Sequence, residues 1–145
     1  MKKILILTFL LILLTNRVYG QMSKEATVDC QINKTVCVQE IGYDKIKVTF
    51  DIIPKPVEFM KELTYKITLT KNDKPITDAK ITMDLTMPGM FMGTNRPVIK
   101  HIGTGVYEGK GIIPRCPSGR KIWRANIKIE RNDTSSIVSF TFEGK

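Results

Sequence analysis

The sequence predicts an all-β domain, an antiparallel immunoglobulin-like β-sandwich of about seven strands. Three observations predict it. Apolar and polar residues alternate along most of the chain after residue 43, the period of a half-buried strand. The alternating stretches are rich in Ile, Val, Thr and aromatics and are separated at short intervals by Gly, Pro or Asn-Asp clusters, which punctuate strands as turns. Helical periodicity is almost absent. A small closed barrel fits the same pattern and is the alternative architecture.

Each strand has its own signature. Lys45 to Ile53 sets Ile46, Val48, Phe50 and Ile52 against Lys47, Thr49 and Asp51, and Pro54-Lys55-Pro56 ends it, because proline cannot donate to a ladder. Leu63 to Thr70 alternates next, and Lys71-Asn72-Asp73-Lys74 turns the chain. Ile76 to Met87 reads as a strand with a bulge near Asp78; Ile81, Met83, Leu85 and Met87 share a face. A Gly/Pro/Met loop spans Pro88 to Pro97, followed by a short run from Val98 to Ile102 and the turn Gly103-Thr104-Gly105. Val106 to Ile113 is a strand in which Gly109 and Gly111 allow another backbone to approach closely. After the loop Pro114 to Gly119, Lys121 to Glu130 alternates and carries the single tryptophan, Trp123. Arg131-Asn132-Asp133-Thr134 leads into a last strand, Ile137 to Phe142.

The N-terminus reads as an export signal. Lys2 and Lys3 precede an apolar run from Ile4 to Leu14, and Val18-Tyr19-Gly20 offers small residues at the positions before a cut, so cleavage is expected after Gly20. The run is about half the 20 residues a spanning helix needs. The mature chain, residues 21–145, is then one domain with one core. The expected localisation is periplasmic or secreted, with no membrane insertion after cleavage. The whole chain carries 23 Lys+Arg against 14 Asp+Glu; without Lys2, Lys3 and Arg17 the balance is 20 to 14, or +6. Such a charge speaks to solubility and association. No basic run exceeds two residues and none is interleaved with aromatics, so nucleic acid is not an expected partner.

Three cysteines in an exported chain predict one disulfide and one thiol left over. Cys30 and Cys37, seven positions apart, are the expected pair, and Cys116 in Arg115-Cys116-Pro117-Ser118-Gly119 the free thiol. Pairing of Cys116 with either of the others stays open at this level. No acidic pair or Ser/His/Asp set stands out, and His101 is the only histidine. The protein is therefore expected not to be an enzyme.

Chemistry concentrates in Met87-Pro88-Gly89-Met90-Phe91-Met92-Gly93. Thioether sulfur is a soft donor that suits cuprous copper. Met83 and Met87 fall in register with Ile81 and Leu85 and read as core filler. Met90 and Met92 lie beyond the strand and read equally as ligands or as packing. If strands alternate up and down and Val98–Ile102 is one of them, the loops at 54–62, 88–97 and 114–120 share one end. Met60, Met90, Met92 and Cys116 then gather there, with His101 near the other.

Met83…Met87-Pro88-Gly89-Met90-Phe91-Met92-Gly93, then Gly105-Val106-Tyr107 and Cys116-Pro117-Ser118-Gly119…Trp123, together resemble the YtkA-like family of small exported bacterial β-sandwich domains. The resemblance covers roughly residues 43 to 130. It implies a neighbourhood similar to that of FixH-type proteins and heavy-metal efflux components, and with it envelope metal handling, copper above all. Carried over to this chain, it makes Met87, Met90 and Met92, with Cys116, the candidate metal ligands. The sequence-level expectation is a binding module that handles Cu(I) through its methionine loop, with an envelope or inner-membrane protein as partner. The alternative is a structural or interaction domain of an envelope complex whose methionines are packing.

Overall fold

The computed structural model describes residues 26–145; the expected export signal lies outside them. Nine strands and no helix make up the described chain: β1 (Cys37–Ile41), β2 (Ile46–Ile53), β3 (Glu62–Lys71), β4 (Lys74–Pro75), β5 (Lys80–Thr86), β6 (Lys100–Gly103), β7 (Val106–Ile112), β8 (Ile122–Arg131) and β9 (Thr134–Glu143). They form two antiparallel sheets, one in the order β1-β2-β3-β7-β6 with β4 on β3, the other β5-β8-β9. The β-sandwich expectation holds.

The count exceeds about seven because of two strands that the alternation hides. β1 has half-exposed Val38 where a core residue would signal a strand, and β4 is two residues long. Three boundaries also move. The stretch read as a strand from Ile76 is strand only from Lys80, as β5, the run from Val98 becomes β6 only at Lys100, and the last strand, read from Ile137, begins at Thr134.

The inner faces are the alternating sets. Val48, Phe50 and Ile52 of β2 and Leu63, Tyr65, Ile67 and Leu69 of β3 meet Met83 and Leu85 of β5, Trp123, Ala125, Ile127 and Ile129 of β8, and Val138, Phe140 and Phe142 of β9 in one buried cluster. Phe50 joins the two sheets directly, with its ring 5.3 Å from Phe140 and 6.4 Å from Phe142. Such aromatic pairs add roughly 0.5–1.5 kcal/mol beyond their burial. The outer face of the larger sheet carries a row of opposite charges at paired positions, Asp51–Lys66–Glu108–Lys100, an arrangement that favours this register over a slipped one.

The Asn-Asp pairs act as the sequence suggests. Asn72 and Asp73, and again Asn132 and Asp133, take positive φ at the centre of two-residue hairpins, the left-handed geometry that type I′ turns require. At the side where β1 approaches β9, residues 29 and 30 lie along β9. Asp29 and Cys30 donate to Thr141 O, and Thr141 N–H donates to Asp29 Oδ1. Cys30 is disulfide-bonded to Cys37 at the start of β1, so the bond ties the smaller sheet's edge to the larger sheet. By loop-closure entropy such a short ring contributes roughly 2–3 kcal/mol.

Gly109 admits the close approach its position suggested. A Cβ there would lie 2.5 Å from Val98 O and 2.6 Å from Ile99 Cδ1, because the segment leading out of the methionine loop crosses β7 at this point. Gly109→Ala is expected to destabilise the fold by about 1–3 kcal/mol, the usual cost of overpacking. Amide shifts at Val98 and Ile99 should move with it. Denaturation at wild-type stability would refute the crossing.

Candidate functional site

In the larger sheet the pairings set β2 and β7 against β1, β3 and β6, and in the smaller one β5 and β9 against β8. The backbone bonds that link Lys145 to Phe59 and Val57, and Gly144 to Lys121, put the end of β9 and the start of β8 beside the β2–β3 connection. The connections 54–61, 87–99 and 113–121 therefore all emerge at one end, the arrangement that the parity of the strands suggested. His101 lies on β6 toward the other end, its ring 4.9 Å from that of Tyr107.

Met87-Pro88-Gly89-Met90 is a tight turn. Met90 N–H donates to Met87 O at 3.1 Å, the two residues form an isolated β-bridge, and Gly89 has φ 76°. Proline at the second position and a glycine with positive φ at the third are what a type II turn demands. Beyond it, Asn95 spans the two sheets: its carbonyl accepts from Leu85 N–H at 2.8 Å, and its Nδ2 donates to Ile112 O at 3.0 Å. The loop is thus anchored at both ends. Met87 is buried, Met90 and Met92 are partly buried against the core, and Phe91 between them is 88% exposed. Met87, Met90 and Met92 line one small cleft of about 110 Å³ with Asp84 and Arg96.

Cys116-Pro117-Ser118-Gly119 is a second tight turn, closed by Gly119 N–H donating to Cys116 O at 3.0 Å. It brings Cys116 Sγ to 3.4 Å from Met90 Sδ and 3.0 Å from Ser118 Oγ. Cys116 is free, and 2% of its surface is exposed. Protonated, the thiol donates to the Met90 thioether. Its pKa is held below the ordinary thiol value, first by the Ser118 hydroxyl; burial opposes this, and the Ser118 and Arg120 backbone N–H groups and the Arg120 charge add to it. Groups that bond the thiolate favour ionisation. Ser118→Ala is therefore expected to raise the pKa of the thiol. Ultraviolet titration of thiolate absorbance in the two proteins checks this, and coincident curves would contradict it.

A thioether and an ionisable thiol 3.4 Å apart are both soft donors. Two sulfurs bound to one ion at about 2.3 Å each lie no more than about 4.6 Å from one another, so the pair is close enough to share one. Met60, also at this end, is exposed and has no such contact among the described residues. Among the described residues no group of three or more His, Cys, Asp and Glu is placed to hold a metal; the sulfur pair here joins one thiol to one thioether. The contact of Ser118 with the thiol follows from its place two residues after Cys116, where a turn folds it back. Arg120, with Arg115 the nearest charge to Cys116 in the sequence, sets its guanidinium across the end on Gly89.

A family model described as YtkA-like matches residues 42–114, which are 73 of the 145. The match spans β2 to β7 with the whole methionine loop and ends two residues before Cys116, short of the resemblance read from the sequence to about residue 130. No curated protein and no solved structure matches the chain.

Proposed function

Because the chain belongs to the YtkA-like family, we propose that it is an exported, non-enzymatic binding module that holds Cu(I) between Met90 and Cys116. The observation that carries this reading is the 3.4 Å approach of the two sulfurs. Soft sulfur ligands select cuprous copper, and Met87 and Met92 line the cleft beside Met90 as further thioether donors. The Cys30–Cys37 disulfide is compatible with an oxidising compartment, and the burial of Cys116 shields the one remaining thiol from oxidation there. Exposed Phe91, between Met90 and Met92, offers an apolar contact to an envelope or inner-membrane protein that gives or takes the metal. In the second reading the protein is an interaction domain without metal, and it is favoured by the packing of Met90 and Met92 against the core.

Anaerobic titration with Cu(I) against a competing chelator separates the two. The copper reading expects one ion per protein, lost in a Met90→Leu/Cys116→Ser variant. Equal, weak uptake by both proteins would establish the second reading.

A further inference from the structure

The end that carries the sulfur pair also carries a cationic cleft. It has a volume of about 260 Å³ and is walled by Phe59, Arg115, Arg120, Lys121 and Lys145, with Cys116 beside them. Among the described residues no acidic side chain lines it. Among the described residues Arg115, Arg120 and Lys121 take part in no ion pair. The opposite end supplies an internal comparison. A cleft of the same volume there is lined by Lys71, Lys74 and Arg131, but Lys71 is paired with Asp44 at 2.9 Å and Arg131 with Asp78 at 2.6 Å. Among the described residues, side-chain carboxylates pair with two of the three cations of that cleft and with none of Arg115, Arg120 and Lys121.

These cations stand on pinned backbone. Lys121 O accepts from Gly144 N–H at 3.0 Å, and Phe59 and Lys145 are tied by the bond from Phe59 N–H to Lys145 O at 2.8 Å. Arg115 and Arg120 flank the closed turn at Cys116–Gly119. The Arg120 guanidinium is seated over Gly89, where a Cβ would meet it at 3.6 Å. Backbone fixed in this way limits the ordering that an anion must impose to the cationic side chains themselves.

We propose that this cleft binds a phosphate-class oxyanion, with Arg115, Arg120 and Lys121 as its donors. The cleft is smaller than the roughly 300–1,000 Å³ of pockets that take drug-sized ligands, which suits a compact anion. Three cationic donors lining one cleft match a tetrahedral group with several acceptor oxygens better than a two-oxygen carboxylate, and the arginine forks add bidentate geometry. A free phosphate and the phosphate of a lipid headgroup present the same chemistry.

The test uses the metal-free protein, so its outcome is independent of the copper reading. Inorganic phosphate is titrated calorimetrically at fixed ionic strength, with chloride as the reference salt, into wild type, Arg115→Gln/Arg120→Gln and Lys71→Gln/Lys74→Gln. Thermal melts confirm that both variants are folded. A second arm compares flotation with phosphatidylglycerol and phosphatidylcholine vesicles. Saturable phosphate binding should weaken about tenfold for each cation removed from the proposed cleft, the worth of one charge-assisted hydrogen bond. It should be unchanged by the substitutions at the opposite end. Binding to phosphatidylglycerol vesicles alone, with the same dependence on Arg115 and Arg120, would support the site and identify a lipid headgroup as the source. Heats equal to those of chloride together with vesicle binding that ignores the Arg115/Arg120 substitutions would overturn it.

Discussion

Trp123→Ala is expected to lower the free energy of unfolding by about 3–5 kcal/mol, the range for removing a large aromatic from a packed core. Trp123 is fully buried on β8 opposite Phe142. The register Thr86↔Arg124, carried one residue further, brings Met87 beside it. The indole is therefore part of the floor on which the Met87–Met90 turn stands, and its loss leaves a cavity under the candidate site as well as in the core. Trp123→Phe is expected to cost much less. It keeps an aromatic ring in place and removes an Nε1–H that is buried without a partner among the described residues; leaving such a donor unsatisfied costs about 1–3 kcal/mol. Chemical denaturation of the three proteins checks both values, and an unchanged m-value shows that stability alone has moved. A Trp123→Ala protein within about 1 kcal/mol of wild type would contradict this account of the core.

Cys116→Ser is expected to weaken Cu(I) binding by at least about a hundredfold, beyond the 10–100-fold that losing a group behind the ligand typically costs. The substitution exchanges a soft, ionisable sulfur for a hard hydroxyl. Met90→Leu conserves volume, so the fold should persist while one donor is lost, and its effect should be smaller because a neutral thioether is removed and not a thiolate. The pH dependence follows from the ionisation of Cys116. In the proposed site copper would bind the thiolate, so below the thiol pKa a proton competes and affinity should fall about tenfold per pH unit. Above that pKa affinity is flat. Because the Ser118 hydroxyl holds the pKa down, the plateau should begin at lower pH than for an ordinary thiol. It should begin at higher pH in Ser118→Ala, and the pH slope should vanish in Cys116→Ser.

The strands that bury an apolar face were legible because alternation is a local signal. β2, β3, β7 and β8 begin and end within a residue or two of where the pattern places them. The end at which the loops gather followed from strand parity. β1 was hidden because it lies at the sheet's edge with Val38 half exposed. The extension of the smaller sheet by residues 29 and 30 was hidden because its partner, Thr141, is more than a hundred positions away. The site divides in the same way. Met87-Pro88-Gly89-Met90 shows in the sequence because a type II turn needs proline and glycine at set places. The contact between Met90 and Cys116 joins residues 26 apart and depends on which end each loop occupies. The cationic cleft was partly legible: Arg115 and Arg120 are the charges nearest Cys116 in the sequence, with Lys121 next to them, but only the fold brings Phe59 and Lys145 to the same space.

X-ray absorption at the copper edge of the Cu(I)-loaded protein, set against the Met90→Leu/Cys116→Ser variant, tests the proposed sulfur pair most directly. The account predicts a first shell in which sulfur dominates in wild type, at about the 2.3 Å usual for metal–sulfur bonds, and the loss of that sulfur signal in the variant. A shell of nitrogen and oxygen alone, or a sulfur shell that survives both substitutions, would contradict it.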